Sequence, residues 1–197
     1  MIIESSYIKN DIGRILKTYV IAWQPRTYVE LGVLHGYSTL AIAQGLKDLH
    51  QLRGDKRKLD AYDLFEDYQY KHGNKEEVEQ LLKDNGVVDY VNLQKGNAYE
   101  VYKNYEDKRL EFLHVDISNT GDTIKQIMEV WHPKIAEKGL ILFEGGSEER
   151  DEIEWMKKYN MPSIKKEIET NPIINKYYMY GTYLQFPSLT ILLRKWY

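Results

Sequence analysis

The sequence predicts an α/β protein: a doubly wound, mostly parallel sheet with helices on both faces and an antiparallel hairpin at its C-terminal end. Three observations predict it. Short apolar runs of strand length alternate with longer segments of helical period between residues 28 and 143, the pattern of a parallel sheet buried under crossover helices. The first run passes through a glycine turn into a helix, in TYVELGVLHGYSTLAIAQGL, residues 27–46. After Pro162 the alternation stops, and two strand-like runs, 177–186 and 188–195, flank Pro187 as in a hairpin.

Ser5 or Ser6 is placed to cap a first helix running to about Trp23, in which Ile8, Ile12, Ile15, Leu16 and Tyr19 recur at helical spacing. Residues 28–31 read as a short buried strand and 38–52 as a helix. A second strand covers 58–63, and the charged run 74–85 is a helix that Gly86 stops. A strand over 90–94, a short helix over 99–105 and a central strand over 110–115 follow. Thr120 opens a helix closed off by Pro133 and Gly139, and residues 140–143 form a strand buried on both faces. Ser147 caps the next helix, with Glu148 and Glu149 in the first turn, where the helix dipole favours negative charge. The chain reads as a single domain over 1–197: an N-terminal helix (1–24), a core (25–146), and a C-terminal helix with the hairpin (147–197).

Composition removes several function classes. The 27 Lys and Arg are interspersed with 30 Asp and Glu, for a net charge of −3, which leaves no basic footprint for nucleic acid or an anionic membrane. The absence of cysteine excludes disulfides, thiolate metal sites and cysteine nucleophiles. The N-terminus, MIIESSYIKNDIGRILK, has neither the basic segment nor the apolar run of a signal peptide. No apolar stretch approaches the roughly 20 residues of a membrane span, so a cytoplasmic protein is expected.

The turn after the first strand carries the chemistry. Glycine there serves either the turn itself or the close approach of a ligand to the backbone, and a strand–turn–helix at the carboxyl edge of an α/β sheet presents backbone amides where ligands bind. A dinucleotide fingerprint needs G-x-G-x-x-G, but this loop reads Gly32-Val33-Leu34-His35-Gly36, with leucine in place of the middle glycine. A side chain at that point would crowd a pyrophosphate, which disfavours a nucleotide-dependent oxidoreductase. A ligand without phosphates meets no such block.

The E-x-G-x-x-x-G of Glu30, Gly32 and Gly36 resembles the first motif of class I S-adenosylmethionine-dependent methyltransferases, whose fold is Rossmann-like. The resemblance implies that the loop, with Glu30, Gly32, His35 and Gly36, packs on the cofactor. It implies that Asp63, ending the second strand in DAYDLFED, accepts hydrogen bonds from the ribose hydroxyls, with Glu66 and Asp67 as rival carboxylates. Asn97 and Ala98, in Gly96-Asn97-Ala98 after the third strand, would lie against the adenine. Residues 110–146, LEFLHVDISNTGDTIKQIMEVWHPKIAEKGLILFEGG, look like the fourth strand, helix and fifth strand of small-molecule O-methyltransferases, most of all the macrocin type. That group binds Mg²⁺ through acidic residues after both strands. Here Asp116 is kept, Ser118 and Asn119 stand where further acid and histidine are expected, and Glu144 replaces aspartate.

Asp116 and Glu144 end adjacent strands, so they are the candidate catalytic pair, and Asp116 also a candidate cofactor contact. Together they could bind Mg²⁺ through oxygen ligands, or share a proton and leave one as general base for a hydroxyl. Alternatively one caps a helix while the other faces solvent. His114 is expected to be buried and hydrogen-bonded, His35 to face cofactor or substrate, and His50, His72 and His132 to be solvated. Trp131 and Trp155 are expected to anchor helices to the sheet. In residues 176–183 (KYYMYGTY) alternation would bury one set of tyrosines and expose the other, which could pair at a symmetric homo-oligomer interface. The expected function is S-adenosylmethionine-dependent transfer to a hydroxyl of a small molecule, with neither nucleic acid nor membrane as partner. The alternative is an inert cofactor-binding protein of the same fold, suggested by the thinned acidic pattern. The acceptor pocket would draw on the N-terminal helix and residues 66–73.

Overall fold

The computed structural model describes residues 5–70 and 72–196. The first four residues of the N-terminal segment, and Lys71 within the 66–73 stretch, lie outside the described residues. The architecture is α/β, with a seven-stranded, mostly parallel sheet ending in an antiparallel pair. By its packing the chain divides into two compact units, Met1–Ala98 and Tyr99–Tyr197.

The first unit contains α1 (Ile12–Trp23), β1 (Tyr28–Leu31), α2 (Tyr37–Arg53), β2 (Leu59–Asp63), α3 (Lys75–Asp84) and β3 (Val91–Lys95). Its strands are parallel in the order β3-β2-β1, with Tyr28 in register with Leu59 and Leu59 with Val91. All of β1 is buried, as a strand covered on both faces must be. α1 lies close on α2 because a small residue meets a larger one at two crossing points: a Cβ on Gly13 would sit 3.1 Å from Tyr37, and one on Gly45 would sit 3.0 Å from Val20.

The first helix departs from the expectation of one continuous segment. Ser5 caps only a 3₁₀ turn, Ser6–Lys9, and α1 starts afresh after Asp11, whose φ is +56°. The Asn10-Asp11 pair explains the break, since both side chains favour turns over helix interiors and tolerate the left-handed region. α1 stops at Gln24 because Pro25 disfavours helical geometry in the residue before it. Asn74 caps α3 by accepting from the Glu77 amide at 3.0 Å, and Gly86 follows the helix at φ +63°.

The second unit contains β4 (Leu110–Val115), α4 (Gly121–Trp131), β5 (Ile135–Glu144), four short helices α5 (Glu148–Asp151), α6 (Glu154–Lys158), α7 (Ile164–Thr170) and α8 (Pro172–Tyr177), then β6 (Tyr178–Tyr183) and β7 (Leu189–Arg194). The strands order β4-β5-β7-β6, with β4 and β5 parallel and the last pairings antiparallel. Trp131 is fully buried as expected, with the rings of Tyr102 and Tyr105 against it at 6.4 and 5.5 Å.

Several expectations fail here for identifiable reasons. Gly139 does not end a helix; it lies inside β5, where a Cβ would meet the Leu110 carbonyl at 3.0 Å. Trp155 is only half-buried and Met156 takes the core position beside it, because a five-residue helix is too short to display a period. His132 is not solvated: it is half-buried, stacks on Tyr177 at 4.7 Å, and its Nδ1 lies 3.0 Å from the Tyr178 hydroxyl. The tyrosine alternation is partial, because β6 is an edge strand; Tyr178 is buried while Met179, Tyr180 and Gly181 are all exposed. Among the described residues no helix is long and apolar enough to cross a membrane.

Candidate active site

In the first unit the three strand ends meet laterally. The Gly32 amide donates to the Tyr62 carbonyl at 2.9 Å, and the Gly96 amide to the Asp63 carbonyl at 2.9 Å. The turns after β1, β2 and β3 therefore form one edge, which carries Gly32, His35 and Gly36, then Asp63, then Asn97 and Ala98. The glycine loop needs its glycines: Gly32 has φ +91° and Gly36 φ +82°. At Gly36 a Cβ would also press on Val78 and Leu81 of α3, at 3.1 and 3.2 Å.

Leu34, in the place where a dinucleotide loop has its middle glycine, has φ +50°, a left-handed conformation that costs a side-chain-bearing residue about 1–2 kcal/mol. Asp63 holds it there. Its Oδ2 accepts hydrogen bonds from the amides of Val33 at 2.7 Å and Leu34 at 3.0 Å, while Oδ1 accepts from the Phe65 amide at 2.7 Å. Hydrogen bonds to a charged acceptor contribute about 1.5–3 kcal/mol each, enough to offset the strain. Gly73 also packs against the backbone of this residue, since a Cβ there would lie 1.7 Å from the Leu34 carbonyl oxygen.

Glu30 is wholly buried and accepts the Thr39 hydroxyl at 2.5 Å, fixing β1 to the first turn of α2 from beneath. His35 and Asn97 are half-buried at the edge, and Ala98 is buried. The rival carboxylates are engaged elsewhere: Glu66 accepts from the Lys75 amide at 3.0 Å, and Lys95 pairs with Asp67 at 2.9 Å and Glu66 at 3.6 Å.

In the second unit the register Val115↔Phe143 places the next residues, Asp116 and Glu144, opposite each other beyond the carboxyl ends of β4 and β5. Asp116 is half-buried, Ser118 exposed and His114 fully buried. Glu144 is held differently from the expectation. Its Oε1 pairs with Arg150 Nε at 2.6 Å, and both residues are buried, 6% and 5% exposed. Burial pushes the Glu144 carboxyl above its usual range, with Arg150 beside it pulling the other way. Asn119, wholly buried, donates from Nδ2 to the Val115 carbonyl at 3.1 Å and the Glu144 carbonyl at 2.9 Å, tying the strand ends together.

Arg150 is positioned by the turn that precedes it. Gly145 and Gly146, both at φ +111°, turn the chain out of β5. Ser147 then caps α5 by accepting from the Arg150 amide at 3.2 Å, and its hydroxyl bonds Ser188 at 3.0 Å. Arg150 Nη2 donates to the Asn119 carbonyl at 3.3 Å, and the guanidinium stacks over Trp155 at 5.3 Å. Two buried atoms of this cluster, Arg150 Nη1 and Asn119 Oδ1, have no hydrogen-bond partner. The sequence reading missed Arg150. Its signal was a lone cation within the acidic run Glu148-Glu149-Arg150-Asp151, six residues after a strand-ending glutamate.

This donor set does not fit Mg²⁺, which takes near-octahedral oxygen coordination. Glu144 is committed to a guanidinium, whose positive charge at 2.6 Å opposes a cation there, and among the described residues there is no group of three His, Asp or Glu side chains that could hold a metal.

The sequence matches the family model described as Methyltransferase domain over residues 29–144, more than half of the chain. No curated protein matches it. Among solved structures, the Bacillus cereus O-methyltransferase in complex with SAH superposes with a TM-score of 0.70 at 16% identity, covering 98% of this chain and 84% of that one. The putative caffeoyl-CoA O-methyltransferase of Staphylococcus aureus gives 0.67 at 17% identity, with 98% and 85% covered. TomG of Streptomyces achromogenes, an O-methyltransferase of tomaymycin synthesis in complex with SAM, gives 0.68 at 14% identity, with 98% and 82% covered. With the family model spanning β1 to the end of β5, from strand to glycine loop to Glu144, the chain belongs to the methyltransferase-domain family.

Proposed function

We propose that the protein is a cytoplasmic S-adenosylmethionine-dependent O-methyltransferase, acting as one domain on a hydroxyl of a small molecule, of the kind typified by the macrocin-type enzymes. The observation that carries the reading is the Asp63 carboxylate, which sets the glycine loop through the Val33 and Leu34 amides at the joined ends of β1, β2 and β3. A carboxylate offers about four lone-pair positions. Three are filled by amides here, so one on Oδ1 is left for a ribose hydroxyl. The loop backbone of Gly32 and Gly36, with His35 beside it, would bear on the methionine and ribose parts, and Asn97 and Ala98 on the adenine. Glu30 would act through Thr39, by fixing the start of α2.

Bound S-adenosylmethionine supplies a methyl group on a sulfonium, whose departure leaves a neutral thioether. Transfer of that methyl to an acceptor hydroxyl would leave a proton that a group of this chain must take up. Asp116 is the base, since Glu144 is occupied by Arg150. The protein's larger contribution is positioning.

Calorimetric titration with S-adenosylhomocysteine, with NAD in parallel, tests the reading. Micromolar binding of the first and none of the second supports it; binding of neither, or of NAD alone, rejects it.

A further inference from the structure

We infer that Arg150 is the resident cation at the carboxyl ends of β4 and β5, standing where the macrocin-type enzymes that the sequence resembles hold Mg²⁺, and that the transferase works metal-free. The inference rests on the methyltransferase reading above and on four observations within the second unit. The register puts Asp116 across from Glu144 at the ends of β4 and β5, the pair a metal would need. Arg150 Nε binds Glu144 Oε1 at 2.6 Å with both groups buried. The guanidinium is fixed on its remaining sides by the Asn119 carbonyl, at 3.3 Å from Nη2, and by the Trp155 ring. Arg150 Nη1 nevertheless lacks a partner although buried, and so does Asn119 Oδ1.

A buried N–H without an acceptor is uncommon, because it forfeits its hydration without return. An unsatisfied donor and an unsatisfied acceptor in one cluster suit a group that both accepts and donates, which is what a hydroxyl does. A guanidinium held in this way supplies positive charge to an oxygen that loses its proton, the task a metal performs as a Lewis acid. By holding Glu144 it also removes one of the two carboxylates that a metal would require.

The test measures Mg²⁺ binding by the full chain saturated with S-adenosylhomocysteine, using calorimetry and thermal melts from 0 to about 10 mM Mg²⁺. The wild type and R150K, which keeps the charge, should show no saturable binding and no rise in Tm. R150Q, which frees Glu144 without a large change in volume, should gain Mg²⁺ binding, lost again in E144Q/R150Q. If R150Q does not fold alone, refolding it with Mg²⁺ gives the same readout: recovery supports the inference and no recovery opposes it. Saturable Mg²⁺ binding by the wild type that disappears in E144Q overturns the inference, as does an R150Q variant that folds and stays blind to Mg²⁺. Failure of S-adenosylhomocysteine to bind the wild type would instead reject the methyltransferase reading, so the two failures are distinguishable.

Discussion

The Leu34 amide lies 3.0 Å from the Asp63 carboxylate, and that bond holds a leucine at φ +50° where the loop would otherwise call for glycine. Asp63 is thus a structural residue of the loop as well as the proposed ribose partner. Asp63→Ala removes the acceptor for three amides at once. It should weaken S-adenosylhomocysteine binding by at least about 10- to 100-fold, the equivalent of one charged hydrogen bond to the ligand. It should also lower stability by about 2–4 kcal/mol, since the loop amides lose their partner. Calorimetry and urea melts read the two separately; an unchanged dissociation constant would remove Asp63 from the site.

Gly73 lies against the backbone of the same leucine. A methyl group there would sit 1.7 Å from the Leu34 carbonyl oxygen, so backbone must move. Gly73→Ala should cost about 1–3 kcal/mol as overpacking and weaken cofactor binding as the loop shifts. Gly54→Ala is the matched control. Gly54 has φ +73° with nothing within 4 Å, so its cost is the left-handed conformation alone, about 1–2 kcal/mol, with cofactor affinity unchanged. Equal affinity losses in both variants would mean that global destabilisation, not the loop, accounts for them.

What the sequence disclosed and what it withheld divide along physical lines. Strand ends and the glycine turn were legible because each depends on local periodicity and turn chemistry, and Asp63 was legible as the residue that ends the second strand. The Asn10-Asp11 break and the left-handed Leu34 were local too, but propensity only weakly marks a single residue that tertiary bonds hold. The Glu144–Arg150 pair was hidden because it depends on how a Gly-Gly turn redirects the chain. His132 was misjudged because Tyr178, which covers it, lies 46 residues further on.

The Arg150–Glu144 pair should show the asymmetry of buried ion pairs. Removing one partner strands a charge and costs about 3–5 kcal/mol, whereas replacing both with apolar groups of similar volume is often neutral. Arg150→Met should therefore be strongly destabilising, and E144L/R150M should recover most of the loss. A double-mutant cycle from chemical denaturation gives the coupling. Additive losses would mean that the two side chains do not depend on each other.

His132 makes a prediction about pH. Burial, with Arg194 adding to it, pushes the imidazole down from 6.5 to about 4, so the folded protein keeps it neutral where the unfolded chain would protonate it. Between pH 6.5 and pH 4 the unfolded state binds the extra proton, and stability must fall as pH falls through that window. The contribution is complete above about pH 6.5 and absent below about pH 4. Because the ring is only half-buried, solvent screening reduces the loss to about 1–2 kcal/mol. His132→Gln can retain the hydrogen bond to the Tyr178 hydroxyl without titrating, so its urea-melt stability should vary less with pH than that of the wild type across this window. Parallel pH profiles for the two proteins would show that other groups account for the acid sensitivity.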